Sequence, residues 1–200
     1  MKDLVLYIHG KGGSGAECER YRPLFPDRQV LGLDYRSSTP WEAGAEIRAA
    51  VERLKAEYES ILLIANSIGA FFSMYAGIDR LIRKACFISP IVDMETLICD
   101  WLRRAKVTEA ELRTKGVIPT GFGEDLSWEY LCYVRSHPMG WDVPTRILYG
   151  ERDSLTAYET IRAFAETHGA ALTVMEKGEH WFHTEEQMRF LDDWLLQCEV

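Results

Sequence analysis

Short apolar runs recur along the chain with longer amphipathic stretches between them. The runs are "LVLYI" at 4–8, "VLGL" at 30–33, "ILLIA" at 61–65, "ACFIS" at 85–89, "TRILYG" at 145–150 and "ALTVME" at 171–176. Most are apolar throughout rather than alternating, which predicts strands of a parallel sheet covered on both faces. In "WEAGAEIRAAVERLKAEYE" at 41–59, Ile47, Val51, Leu54 and Tyr58 fall on one stripe with charges opposite, behind the cap candidates Ser38 and Thr39; this predicts a helix packed on that sheet. Further helices are predicted over 154–169, which ends at a glycine, and over 184–197, which opens on a threonine and two acids. Strands alternating with helices give an α/β doubly wound sheet of about six strands.

One interval departs from that rhythm. Between Val92 and Val143 no strand-like run occurs, but "METLICDWLRRAKV" and "DLSWEYLCYVRS" are helical patterns joined by the Gly- and Pro-containing link "KGVIPTGFGED". The expectation is a single domain, 1–200, with a helical cap inserted at 92–143; an ordinary helical connection is the plainer alternative, and a homodimer surface is a further use for the same insertion.

Composition narrows the classes. With 200 residues, 47% of them hydrophobic, the chain can bury one sizeable core. The opening "MKDLVLYIHG" lacks the longer apolar stretch of a signal peptide, and no apolar run approaches the length of a membrane span. Five cysteines, never spaced C-x-x-C, fit reduced thiols of the cytoplasm better than a disulfide frame or a zinc site. A formal charge of -8 argues against nucleic-acid and anionic-membrane partners and leaves small molecules open.

Two motifs carry chemistry. In "YIHGKGGSG", Gly10, Gly12 and Gly15 satisfy G-x-G-x-x-G after a strand, and Asp34 ends the next strand where a ribose-binding acid is expected. A dinucleotide site, however, needs a full helix after the third glycine, and Pro23 and Pro26 limit "AECERYRPLFPD" to about two turns. No G-K-[ST] closes the run as a P-loop would require. The second motif, "ILLIANSIGAFFSMYAG", passes from a strand through Ala65-Asn66-Ser67-Ile68-Gly69 straight into a helix. That is the context of a nucleophile elbow, small-x-Ser-x-Gly; its plainer reading makes Ser67 a helix cap.

A serine hydroxyl is a weak nucleophile and needs a base that is itself oriented by an acid. Asp153 follows the strand ending at Gly150, and His180 lies between the last strand and the last helix. Serine, acid, histidine is the chain order this architecture calls for. Asp153 also suits a helix N-cap, with Glu151 the weaker acid candidate, and His183 competes with His180 while better placed to cap the last helix. His137, before Pro138, and His168, at a helix end, need no catalytic role.

Together "HGKGGSG", "ANSIGA", "YGERD" and "GEHWF" resemble the α/β-hydrolase superfamily, in particular its small bacterial serine hydrolases with a short helical cap. The resemblance spans nearly the whole chain and is weakest in the insertion. The chain departs from the family in having Ala65 where glycine is usual and in opening directly on the strand of the H-G loop, a version trimmed to about six strands where eight are typical. The resemblance implies Ser67 as nucleophile, His180 as base, Asp153 as acid, and the backbone N–H groups of Lys11 and Ile68 as an oxyanion hole. His9 would brace the loop, Asp34 would do the same from the next strand, and the glycines would let the backbone approach a bound acyl group.

A serine esterase needs no cofactor, and no metal-spaced cluster of His, Cys, Asp or Glu occurs in the sequence. Met94, Trp101, Phe122, Trp128 and Trp141 are candidates for the wall of an acyl pocket, although aromatic residues at helical spacing are more often core. The expected substrate is a small acyl compound, first a carboxylic ester. Thioesters, amides or peptides and C–C bonds between carbonyls are cut by relatives of the same architecture, and a non-catalytic ligand-binding member is the alternative of another class.

Overall fold

The computed structural model describes residues 2–198, and the chain divides into two compact units, 1–92 with 140–200, and 93–139. Among the described residues of the first unit a single parallel sheet contains β1 (Lys2–Ile8), β2 (Gln29–Leu33), β3 (Tyr58–Asn66), β4 (Lys84–Ile88), β7 (Thr145–Gly150) and β8 (Ala171–Met175). Their order is β2-β1-β3-β4-β7-β8, and every neighbouring pair is parallel. All six apolar runs of the sequence are strands. The helices α1 (Pro40–Glu57), α2 (Ile68–Tyr75), α6 (Tyr158–His168) and α7 (Glu185–Gln197) belong to the same unit, with a 3₁₀ helix over Gly15–Leu24.

Alternate residues of the central strands β1, β3, β4 and β7 feed one of two apolar layers, because successive side chains leave a strand on opposite faces, whereas the edge strands β2 and β8 bury Val30 and Met175 and leave their other residues partly or fully exposed. Val5, Tyr7, Leu62, Ile64, Cys86, Ile88 and Leu148 form one cluster with Cys18 and Tyr21 of the 3₁₀ helix and Leu191, Trp194 and Leu195 of α7. Leu4, Leu6, Ile8, Leu63, Phe87 and Ile147, in the alternating positions, are equally buried. A strand buried on both faces can contain no polar alternation, which is why the runs read as continuous hydrophobic segments.

Four stretches fold differently from the sequence expectation. Tyr58, placed on the stripe of the 41–59 helix, opens β3 instead, and the helix after Gly15, expected to be held to about two turns by Pro23 and Pro26, is a ten-residue 3₁₀ helix that runs through Pro23. The predicted helix at 154 begins only at Tyr158, because Asp153 Oδ1 accepts the N–H groups of Leu155 (2.8 Å) and Thr156 (3.1 Å). That side-chain turn competes with helix formation, and 154–157 stays outside it. In the second unit, α3 (Met94–Ala105) and α5 (Trp128–Ser136) match the two helical patterns, but α4 (Glu109–Lys115) and a short antiparallel pair, β5 (Val117–Pro119) with β6 (Asp125–Ser127), occupy the remainder. The expectation that no strand lies between Val92 and Val143 is thus corrected: three-residue strands are too short to display a period-2 pattern. Arg135 organises this unit from α5, reaching Glu95 at 2.7 Å and Glu109 at 2.7 and 2.8 Å.

Gly15 has a packing role rather than a ligand-facing one. A Cβ on Gly32 would stand 1.8 Å from the Gly15 carbonyl oxygen, so the 3₁₀ helix can rest on β2 only where both residues are glycine. Gly32→Ala is expected to destabilise the protein by about 3 kcal/mol through this overpacking, read as a lower urea midpoint at unchanged m-value; a midpoint equal to that of the parent would refute the close approach.

Candidate active site

Parallel strands all end at one edge of a sheet, so the loops after β1, β3, β7 and β8 converge there. Ser67 follows β3 directly and precedes the first residue of α2. Its backbone is held at φ 51, ψ -120, a conformation that L residues rarely adopt. The surroundings over-determine that strain: Ser67 N–H donates to the Ile88 carbonyl (2.9 Å), and Ser67 O accepts from Ile91 (3.2 Å) and Ala70 (3.2 Å). Gly69 is required because a Cβ there would lie 2.4 Å from the His9 carbonyl oxygen. The small residue of the elbow motif thereby lets β1 pass under the turn.

Three side chains from three loops meet. Ser67 Oγ lies 2.9 Å from His180 Nε2, and His180 Nδ1 lies 2.7 Å from Asp153 Oδ2. With the proton on Nδ1, the imidazole donates to the carboxylate and leaves Nε2 to accept from the serine hydroxyl. The Asp153 side chain is fully buried and that of His180 is 22% exposed. Burying a carboxylate demands compensation, which Leu155, Thr156 and His180 supply; Thr156 Oγ1 adds a longer contact at 3.3 Å.

The loops that hold Asp153 and His180 are also tied to each other. Arg152 N–H donates to Gly178 O (2.7 Å), Glu151 N–H to Met175 O (3.0 Å), and Lys177 N–H to the Glu151 carboxylate (2.8 Å). Glu151 is thereby committed to the loop of the histidine, not to its ring. His183 turns Nδ1 to the Trp181 carbonyl (2.8 Å) and stands next to the N-cap Thr184 of α7. His168 donates to the Trp141 carbonyl (2.9 Å), and His137 stacks on Tyr133 at 4.0 Å.

The loop after β1 turns at Gly10–Gly13, closed by Gly13 N–H donating to Gly10 O (3.1 Å). Several groups hold it. His9 is buried, stacked on Tyr35 at 4.3 Å, with Nδ1 donating to Gly10 O at 2.8 Å. Tyr35 Oη donates to His9 O (2.9 Å), and Asp34 accepts the N–H of Gly15 (2.6 Å). Lys11 is the exposed corner of this turn, and Ile68 begins α2, where N–H groups have no intrahelical acceptor.

A cavity of about 640 Å³ opens beside Ser67 and His180, lined wholly by the first unit. Apolar Ile88, Phe182, Met188 and Leu191 share it with Tyr7, Glu17, Arg20 and Asn66. Tyr7 Oη donates to Glu17 Oε2 at 2.5 Å, and Glu17 Oε1 accepts the Ser14 N–H at 3.2 Å. Burial, reinforced by neighbouring Tyr21 and Glu17, pushes the Tyr7 phenol well above its ordinary value and keeps it a donor. Sequence reasoning does not single out Glu17, yet Ser14-x-x-Glu17 is a legible capping box. Of the five pocket candidates, Trp141 is buried in the first unit, donating to Thr145 Oγ1 (2.8 Å) and packing on Phe87, and is not part of the cavity lining. Met94, Trp101, Phe122 and Trp128 belong to the second unit, where Met94 is buried and Phe122 lies under the Arg104 guanidinium.

Among the described residues no helix is long and apolar enough to cross a membrane, and no three His, Cys, Asp or Glu residues group as around a metal ion. No protein-family model and no curated protein sequence matches the chain. Solved structures do. Est1E from Butyrivibrio proteoclasticus superposes with TM-score 0.73 at 18% identity, covering 99% of this chain and 88% of that one. Alpha/beta hydrolase domain-containing protein 10 from mouse gives 0.69 at 16% (98% and 90% covered), and a soluble variant of monoglyceride lipase from Saccharomyces cerevisiae 0.66 at 12% (98% and 86%). With its parallel six-stranded sheet, its serine elbow after β3 and this likeness over nearly its full length, the chain has the α/β-hydrolase fold.

Proposed function

We propose that the protein is a serine hydrolase that cleaves a small acyl substrate, first a carboxylic ester, through an acyl-enzyme on Ser67. The observation that carries this reading is the continuous relay from Ser67 Oγ to His180 Nε2 (2.9 Å) and from His180 Nδ1 to Asp153 (2.7 Å), at the mouth of a cavity large enough for a ligand. His180 takes the hydroxyl proton as Ser67 attacks the carbonyl carbon, then passes it to the leaving alcohol. Water, deprotonated by the same imidazole, releases the acid. Asp153 fixes the tautomer and stabilises the imidazolium while remaining ionised itself.

Negative charge developing on the carbonyl oxygen is received by the backbone N–H groups of Ile68 and Lys11. The N-terminus of α2 adds its dipole at that point. One structure of similar fold is described as a monoglyceride lipase, which agrees with ester chemistry. Incubation with a fluorophosphonate probe is expected to label the parent protein and not Ser67→Ala. No labelling of the parent, or equal labelling of both, would overturn the reading.

A further inference from the structure

We propose that the acyl half of the substrate carries a hydrogen-bond donor, a hydroxyl group, received by Glu17 in the wall of the cavity beside Ser67. The inference rests on the serine-hydrolase reading and adds a substrate class to it. Glu17 is exposed, yet it lines the same cavity as Ser67 and His180, among the apolar Ile88, Phe182, Met188 and Leu191. An ionised carboxylate has about four acceptor positions. Two of them are engaged, by Tyr7 Oη and the Ser14 N–H.

Among the described residues of that lining Glu17 is the carboxylate, beside the cationic Lys11 and Arg20 and the neutral Tyr7, Tyr21 and Asn66, and it is therefore the strongest acceptor for a donor on the substrate. The Tyr7 hydroxyl proton is spent on Glu17 itself. The Arg20 guanidinium is drawn toward α7, 2.7 Å from Asp192 and 3.6 Å from Met188 Sδ. Lys11 lines the same cavity from the exposed corner of the β1 loop, and as an ammonium it can only donate, not receive a hydroxyl proton. A plain alkanoyl chain laid against Glu17 would strip water from its remaining lone pairs and return nothing, whereas a hydroxyl replaces that water with a charge-assisted bond. A chain ending in a carboxylate would add repulsion to the same loss.

The test compares kcat/KM for p-nitrophenyl hexanoate, its 3-hydroxy and 6-hydroxy counterparts, and the p-nitrophenyl monoester of adipic acid. One hydroxy ester is expected to exceed hexanoate by about tenfold, with the adipate ester below hexanoate. Glu17→Gln, which keeps the shape and loses the charge, should cut the hydroxy-to-hexanoate ratio by about fivefold. If Glu17 acts only by bracing its loop, the variant lowers all four substrates together and leaves the ratio alone. Hydroxy esters no better than hexanoate, an adipate ester that is the best of the four, or a ratio unmoved in Glu17→Gln would each overturn the proposal. Fluorophosphonate labelling of the same preparations tells the two failures apart: a protein labelled at Ser67 without hydroxyl preference refutes this inference alone, and one that neither labels nor hydrolyses any of the esters refutes the hydrolase reading with it.

Discussion

His180→Ala is expected to lower kcat for an activated ester by about 10⁴- to 10⁶-fold while leaving KM within a few-fold of the parent. The imidazole stands within reach of the Ser67 hydroxyl proton, at 2.9 Å, and its own second nitrogen is fixed by Asp153. Removing it leaves a neutral alcohol facing the carbonyl. Groups that work as a unit fail as a unit, so Ser67→Ala added to His180→Ala should cost little more than either alone. His183→Ala is the matched control: its ring hydrogen-bonds the Trp181 carbonyl and lies near Glu179 at 3.4 Å. Steady-state kinetics of the four variants against the parent would settle the assignment, and loss of turnover in His183→Ala with His180→Ala active would reverse it.

Asp153→Asn is expected to cost about 10⁴-fold in kcat, more than removal of a charge at that distance would suggest. The reason is geometric. Oδ1 accepts two backbone N–H groups, from Leu155 and Thr156, so an asparagine must put its carbonyl oxygen there and turn its NH₂ toward His180 Nδ1. That nitrogen must then accept, the imidazole proton moves to Nε2, and the atom facing Ser67 becomes a donor unable to take the serine proton. Fold and stability should change little, because the buried turn keeps both its N–H bonds. Activity recovering at high pH, as hydroxide replaces the imidazole as base, would support this account; an Asp153→Asn protein within tenfold of the parent at neutral pH would sink it.

Much of the fold was legible because its signals are local. Each strand of the sheet announced itself as an apolar run, and the α1 stripe of Ile47 and Val51 is the face that α1 buries. The turn at Ser67 was legible for a related reason: an elbow is a five-residue event, and Gly69 is small because the His9 carbonyl oxygen, just after β1, lies 2.4 Å from where its Cβ would be. What stayed hidden lacked local period or depended on distant partners. The β5–β6 pair is three residues a side, and helix α6 starts late because the Asp153 carboxylate holds the amides of Leu155 and Thr156 in a turn of its own.

The glycines of "HGKGGSG" show the boundary most clearly. Sequence determined that they form a turn after the first strand; the 3₁₀ helix that follows runs through Pro23 and stops at Leu24, two residues before Pro26. Only the tertiary structure divided their work, placing Gly15 against Gly32 and turning the chain at Gly10–Gly13 beside Ser67. It likewise decided that Ser67 meets His180 across 113 residues and that Glu17 looks into the cavity between them and α7. Residue type and spacing act along the chain, within reach of one strand or one helical turn. The grouping of Ser67, His180 and Asp153 is assembled across it, by a strand order that brings four loop ends to one edge of a sheet.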